Sequence, residues 1–246
     1  MKLAEMETQT AAMQMKQPEV VTRAEWLVAR KDFLSREKEF TRQGDALSAA
    51  RRRLPMVRVE QNYVFDGPDG KQALSDLFAG KSQLIVYHFM LGPDWEEGCK
   101  SCSYLADHFD GARLHLTQRD VSLVVVSRAP VAVIDGFKKR MGWSFNWVSS
   151  HESEFNFDYH VSFTKEEEAR NEVDYNYGKK EFMCEELPGL SVFYKNENGE
   201  IFHSYSCYAR GLDHLIGTYH FLDLVPKGRD EATDSTMSWV RHHDRY

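Results

Sequence analysis

Two cysteines, Cys99 and Cys102, stand three positions apart in "YHFMLGPDWEEGCKSCSYLADHF", residues 87–109. A pair at this spacing supports three kinds of chemistry. It can cycle between dithiol and disulfide, it can supply half of a tetrahedral metal site, or it can persist as a dithiol without turnover in a binding or sensing module. The metal reading needs two more ligands at close spacing. The chain has no second Cys-x-x-Cys and no His-x-x-x-His, so Cys184, Cys207 and His203 could complete a site only through the fold.

Redox chemistry requires an activated first sulfur. The apolar run "SQLIVYHFM", residues 82–90, reads as a buried strand. From residue 101 to about 116 the pattern is helical, with Leu105, Phe109, Ala112 and Leu116 on one face. Cys99 then lies at a helix N-terminus, where unpaired N–H groups and the helix dipole lower a thiol's pKa. Cys102, one turn on, is placed to attack a mixed disulfide at Cys99. Lys100 adds positive charge, whereas Asp94, Glu96 and Glu97 oppose the thiolate if they point at it. Trp95 borders the site in this reading. His88 and His108, in the strand and the helix around the pair, read as packed or surface residues. Cys184 and Cys207 read as isolated thiols, and "DGPDG" as a turn.

Other elements must position this pair. "VSLVVVS", residues 121–127, is a second buried strand, and residues 130–141 form a helix with Pro130 in its first turn. Strand, helix, strand, helix implies a parallel pair with right-handed crossovers. Residues 142–187, first aromatic and then charged, are expected to be an insertion of short elements covering a site or an interface. Residues 190–206 read as a β-hairpin. "ARGLDHLIGTYHFLDL" follows as a helix, with Leu212, Leu215, Ile216 and Tyr219 inward. This order, with the cysteines between the first core strand and its helix, predicts an α/β, three-layer thioredoxin-like fold over residues 55–226. In that fold a cis-proline precedes the hairpin and lies against the redox pair. Pro188 is the candidate, with Gly189 intervening, and would shape the substrate groove.

The flanks read differently. Residues 1–22, rich in Met, Gln and Thr, are expected to be a flexible leader. Residues 23–54 form a helical arm in which Trp26, Phe33, Phe40, Leu47 and Leu54 recur every seven positions. The arm is one amphipathic helix or a helical hairpin broken near Gly44. It packs on its own domain or joins a second copy in a homodimer. Residues 227–246 read as a loose polar tail.

The net charge of −7, from 31 Lys+Arg against 38 Asp+Glu, disfavours nucleic acid as a partner. No apolar run approaches the roughly 18 residues of a membrane span. The first residues lack the apolar middle of a secretory signal. The expected compartment is the cytoplasm, where a Cys-x-x-Cys pair is catalytic or metal-binding more often than structural. The expected partner is a protein or small-molecule thiol or disulfide plus an unassigned electron donor. No cofactor, membrane or nucleic acid is expected.

The segments "YVFDGPDG", "GPDWEEGCKSCSYLADH", "MGWSFNWVSS" and "LPGLSVFYKNENGEIFHSYS" resemble a bacterial thioredoxin-like family of unknown function, described as predicted dithiol–disulfide oxidoreductases. The resemblance extends from about Trp26 to Glu231. It implies a thioredoxin-like fold with its redox pair at Cys99 and Cys102, and no substrate. In thioredoxin, Trp immediately precedes the first cysteine and Gly-Pro separates the two; here Gly98 and Lys-Ser stand there. The "YVFDGPDG…LSDLF" segment also resembles peroxiredoxin entry strands, but no Pro-x-x-x-Thr-x-x-Cys precedes Cys99. The leading expectation is a thiol–disulfide oxidoreductase with Cys99 as nucleophile and Cys102 resolving. Trp95, Lys100 and Pro188 then lie on the substrate side. The alternatives are a non-catalytic module and a peroxiredoxin-like thiol peroxidase.

Overall fold

The computed structural model describes residues 18–232 and 234–246. The leader expected over residues 1–22 lies mostly outside them. The chain divides into two units, up to Arg53 and from Leu54 onward.

The first unit is one helix, α1 (Arg23–Arg51). Thr22 starts it with a capping box, its hydroxyl accepting the Glu25 N–H while the Glu25 carboxylate accepts the Thr22 N–H. The helix runs unbroken through Gly44, so the hairpin alternative falls. A mid-helix glycine costs only about 1 kcal/mol relative to alanine. No residue of α1 is buried, and Trp26, Phe33 and Phe40 are exposed.

The second unit opens with β1 (Val57–Arg58) and the hairpin β2 (Val64–Gly67) and β3 (Gly70–Ala73). Then come β4 (Gln83–His88), α2 (Lys100–Ala106), α3 (Phe109–Leu116), β5 (Val121–Ser127), α4 (Val131–Arg140) and β6 (Asn146–Ser149). Short pieces follow: α5 (Phe155–Asp158), α6 (Lys165–Arg170), β7 (Val173–Tyr175) and β8 (Gly178–Lys180). The hairpin β9 (Gly189–Lys195) and β10 (Ile201–Tyr208) and the helix α7 (Gly217–Leu222) complete the core.

Eight strands form one sheet in the order β1-β10-β9-β4-β5-β6-β2-β3. β4, β5 and β6 are parallel, while β9 returns antiparallel beside β4 and β10 pairs antiparallel with β9. A parallel pair extended on one side by an antiparallel hairpin, with the Cys-x-x-Cys helix between the parallel strands, is the thioredoxin-like arrangement. Both faces are covered, which is why "LVVV" in β5 is continuously apolar. Tyr87, Val125, Leu105, Phe109, Ile134 and Phe137 pack on one face; Phe65, Val86, Val124, Phe155 and Phe193 pack on the other.

Several expectations need correction. The helix over residues 101–116 is two helices. His108 donates from Nδ1 to the Tyr104 carbonyl at 2.9 Å and accepts the Thr218 N–H at Nε2, so a side chain takes a helix carbonyl at the break. Residues 142–187 are not wholly an insertion, because β6 pairs with β5 and buries Trp147 and Val148. The C-terminal helix is a 3-10 segment followed by α7. The tail is not loose: Val240 and His242 are each 1% exposed. The described residues contain no cis peptide, so the bond before Pro188 is trans. No helix among the described residues is long and apolar enough to cross a membrane.

Candidate redox site

The loop from β4 to α2 sets the site. Phe89 donates its N–H to the Val126 carbonyl, Ala129 to Leu91 and Cys99 to Met90, the last at 3.0 Å, so the loop folds back onto the C-terminal ends of β4 and β5. Gly98 sits where no side chain fits. A Cβ there would lie 2.5 Å from Phe89 and 2.7 Å from Phe137. The glycine in front of Cys99 is therefore required by two core rings.

Cys99 is half-buried and caps α2 with an extended backbone. Its sulfur accepts a hydrogen bond from the Cys102 thiol and from the main-chain N–H groups of Cys102 and Ser101. Together these outweigh burial and hold the Cys99 pKa down to about 6. Cys102 is buried, and burial, followed by its hydrogen bond to Cys99, pushes its pKa well up. The Tyr87 hydroxyl reaches the Cys102 sulfur, and Tyr175 lies within its electrostatic reach. The two thiols are free and oppositely tuned, one acidic and partly open, the other buried and protonated.

The acidic approach to Cys99 is turned aside. The Glu97 carboxylate pairs with Arg245 and also accepts from Arg140 at 2.6 Å, and these cations, Arg245 foremost, pull its pKa down. Asp94, Glu96 and Lys100 are exposed. Trp95 donates its indole N–H to Glu185 at 2.5 Å, tying the loop to the insertion. Pro188 is half-buried and its carbonyl accepts the Tyr175 hydroxyl at 2.7 Å. His88 lies beside Ser191 at 2.9 Å, stacked on Phe155 in the cluster that covers the other face of the sheet, and burial lowers its pKa to about 3. His203 faces Ser206 at 2.7 Å. Among the described residues, no three His, Cys, Asp or Glu side chains gather as metal ligands.

The profile of the family described as "Bacterial protein of unknown function (DUF899)" matches residues 15–246. The chain belongs to that family. No curated protein matches it. Among solved structures, it is 13% identical to a peroxiredoxin Q of Xanthomonas campestris, with a TM-score of 0.45 over 68% of this chain and 98% of that one. It is 12% identical to peroxidoxin BcpB of Mycobacterium tuberculosis, with a TM-score of 0.44 over 67% of this chain and 95% of that one. It is likewise 12% identical to a putative thiol:disulfide interchange protein DsbE of Chlorobium tepidum, with a TM-score of 0.40 over 67% and 97%.

In this family member three site residues escape a sequence reading. Tyr87 left one signal, a hydroxyl in a buried strand that must find a partner. Tyr175 and His242 left none. His242 reaches the loop from 144 positions away. The Arg140 guanidinium donates to its Nδ1 at 3.2 Å, which leaves Nε2–H to donate to the Gly98 carbonyl at 2.9 Å. Removing that donor strands a buried carbonyl next to Cys99. His242→Ala is expected to cost about 1–2 kcal/mol. It should also move the Cys99 thiolate absorbance midpoint up toward ordinary thiols. Urea unfolding together with ultraviolet titration checks both.

Proposed function

We propose that the protein is a thiol–disulfide oxidoreductase in which Cys99 attacks and Cys102 resolves. One observation carries this reading: a partly open Cys99 caps α2 while Cys102 lies buried one turn on, which makes the first thiol acidic and keeps the second protonated. The Cys99 thiolate attacks one sulfur of R–S–S–R, and RS⁻ leaves and takes a proton. Cys102 then loses its proton and attacks Cys99, expelling the second thiolate. The pair is oxidised to a disulfide and the substrate is reduced to two thiols; Cys102 supplies one proton, and the other comes from solvent, to which Cys99 released its own on ionising. Tyr87 steadies the Cys102 thiolate as it forms. Trp95, Lys100 and Pro188 surround the incoming disulfide.

The deciding experiment equilibrates the protein with dithiothreitol buffers and follows the Cys99–Cys102 disulfide by mass spectrometry. A reversible disulfide supports the reading. A midpoint near about −270 mV marks a reductant and one near about −120 mV an oxidant. If no such disulfide forms, the non-catalytic module is correct instead. Tyr87→Phe is expected to slow the resolving step about fivefold, the equivalent of one hydrogen bond, and to leave mixed-disulfide formation unchanged in stopped-flow traces.

A further inference from the structure

The segment entering β9, residues 185–188, lies beside the loop that carries Cys99. Trp95 bonds Glu185, and a Cβ on Gly92 would stand 2.9 Å from the same carboxylate. An extended substrate chain docks on such a segment through main-chain hydrogen bonds, as an added strand. Here that position is filled by the chain itself. Leu187 donates its N–H to the Val161 carbonyl at 2.8 Å, Phe163 donates to the Glu185 carbonyl at 3.1 Å, and Ser162 faces Glu186 as an antiparallel partner. The Pro188 carbonyl is taken by Tyr175, whose hydroxyl also accepts the Ala209 N–H at 3.0 Å. Proline has no N–H to offer.

The part of the insertion that pairs with residues 185–188 has its own anchorage. Val161, Phe163, Val173, Tyr175, Leu187 and Tyr208 form a buried cluster. The Glu186 carboxyl is 2% exposed and held by Ser162 at 2.6 Å and Arg128 at 3.1 Å.

We propose that the insertion occupies in cis the place of a polypeptide substrate, so that Cys99 and Cys102 serve low-molecular-weight disulfides and not extended polypeptide ones. This rests on the oxidoreductase reading above and narrows its substrate class. Each turnover converts R–S–S–R to two R–SH while the pair becomes a disulfide.

The test uses the full chain carrying Cys102→Ser, which traps the mixed disulfide at Cys99. Its rate of formation is compared for bis(2-hydroxyethyl) disulfide and for a peptide of about ten residues joined through cysteine to 2-mercaptoethanol. Peptide mapping by mass spectrometry confirms Cys99 as the site. The small disulfide is expected to react about tenfold faster or more. Equal rates, or a faster peptide, overturn the proposal. Hydrogen exchange on the unmodified protein adds a check that needs no variant. The amides of Leu187 and Phe163 are expected to stay protected with the peptide present, and exchange as fast as an exposed amide overturns the proposal. A missing Cys99–Cys102 disulfide would defeat the oxidoreductase reading alone, since the rate comparison needs only attack by Cys99.

Discussion

Cys99→Ser is expected to abolish disulfide turnover, lowering the rate about a thousandfold or more, while Cys102→Ser stops the cycle one step later. The asymmetry follows from the two environments. Cys99 is partly open and acidic; Cys102 is buried and donates its proton toward Cys99. Without Cys99 there is no thiolate to attack. Without Cys102 the first attack still occurs and the mixed disulfide accumulates, visible as a mass increase on the peptide holding Cys99. Accumulation in Cys99→Ser, with none in Cys102→Ser, would reverse the roles.

The second large effect is a pH dependence of the reduced protein's stability. The Cys99 pKa falls from an ordinary 9.0 to about 6 on folding. Between those values the folded chain holds fewer protons than the unfolded one, so stability rises with pH and is lost as pH falls toward 6. From pH 7 to 8.5 the gain is about 2 kcal/mol. Glu186 acts in the opposite sense lower down. Burial raises its pKa from 4.5 to about 7, so its contribution is present below 4.5 and lost as pH rises through 7. The window for Cys99 therefore opens at pH 7. Cys102, also raised, opposes the gain only once unfolded thiols ionise, near 9. Urea midpoints of the reduced protein should climb over this window, and those of Cys99→Ser should stay level. A level profile in both would mean that folding leaves the Cys99 thiol at its ordinary pKa.

The parts legible in the sequence are those written in local pattern. β5 matches its predicted bounds because a seven-residue apolar run between polar ends has one meaning once both sheet faces are covered. The hairpin β9–β10 was visible for similar reasons, whereas the need for glycine before Cys99 comes from the Phe89 and Phe137 rings and was not. The parts not legible depend on distant partners. The break between α2 and α3 depends on His108 meeting Thr218. β6 hides in an aromatic stretch because Trp147 and Val148 look alike in a strand or an insertion, and only β5 decides between them. Glu97 looked like a threat to the thiolate until Arg140 and Arg245 supplied its counter-charges. The trans bond at Pro188 and the packed tail carry no local mark at all.

The link between His242 and Gly98 also bears on the order of folding. It joins positions 144 apart, and the Arg245–Glu97 pair beside it spans 148. Synthesis runs from the N-terminus, so His242 and Arg245 become available only after the β4–α2 loop and every strand of the sheet have been made. A nascent chain therefore passes through a stage in which the β4–α2 loop exists without its outer brace. At that stage the first turn of α2 already offers its N–H groups to Cys99, while the Gly98 carbonyl in front of it still waits for its donor, so the acidity of the thiol precedes the rigidity of the loop that presents it.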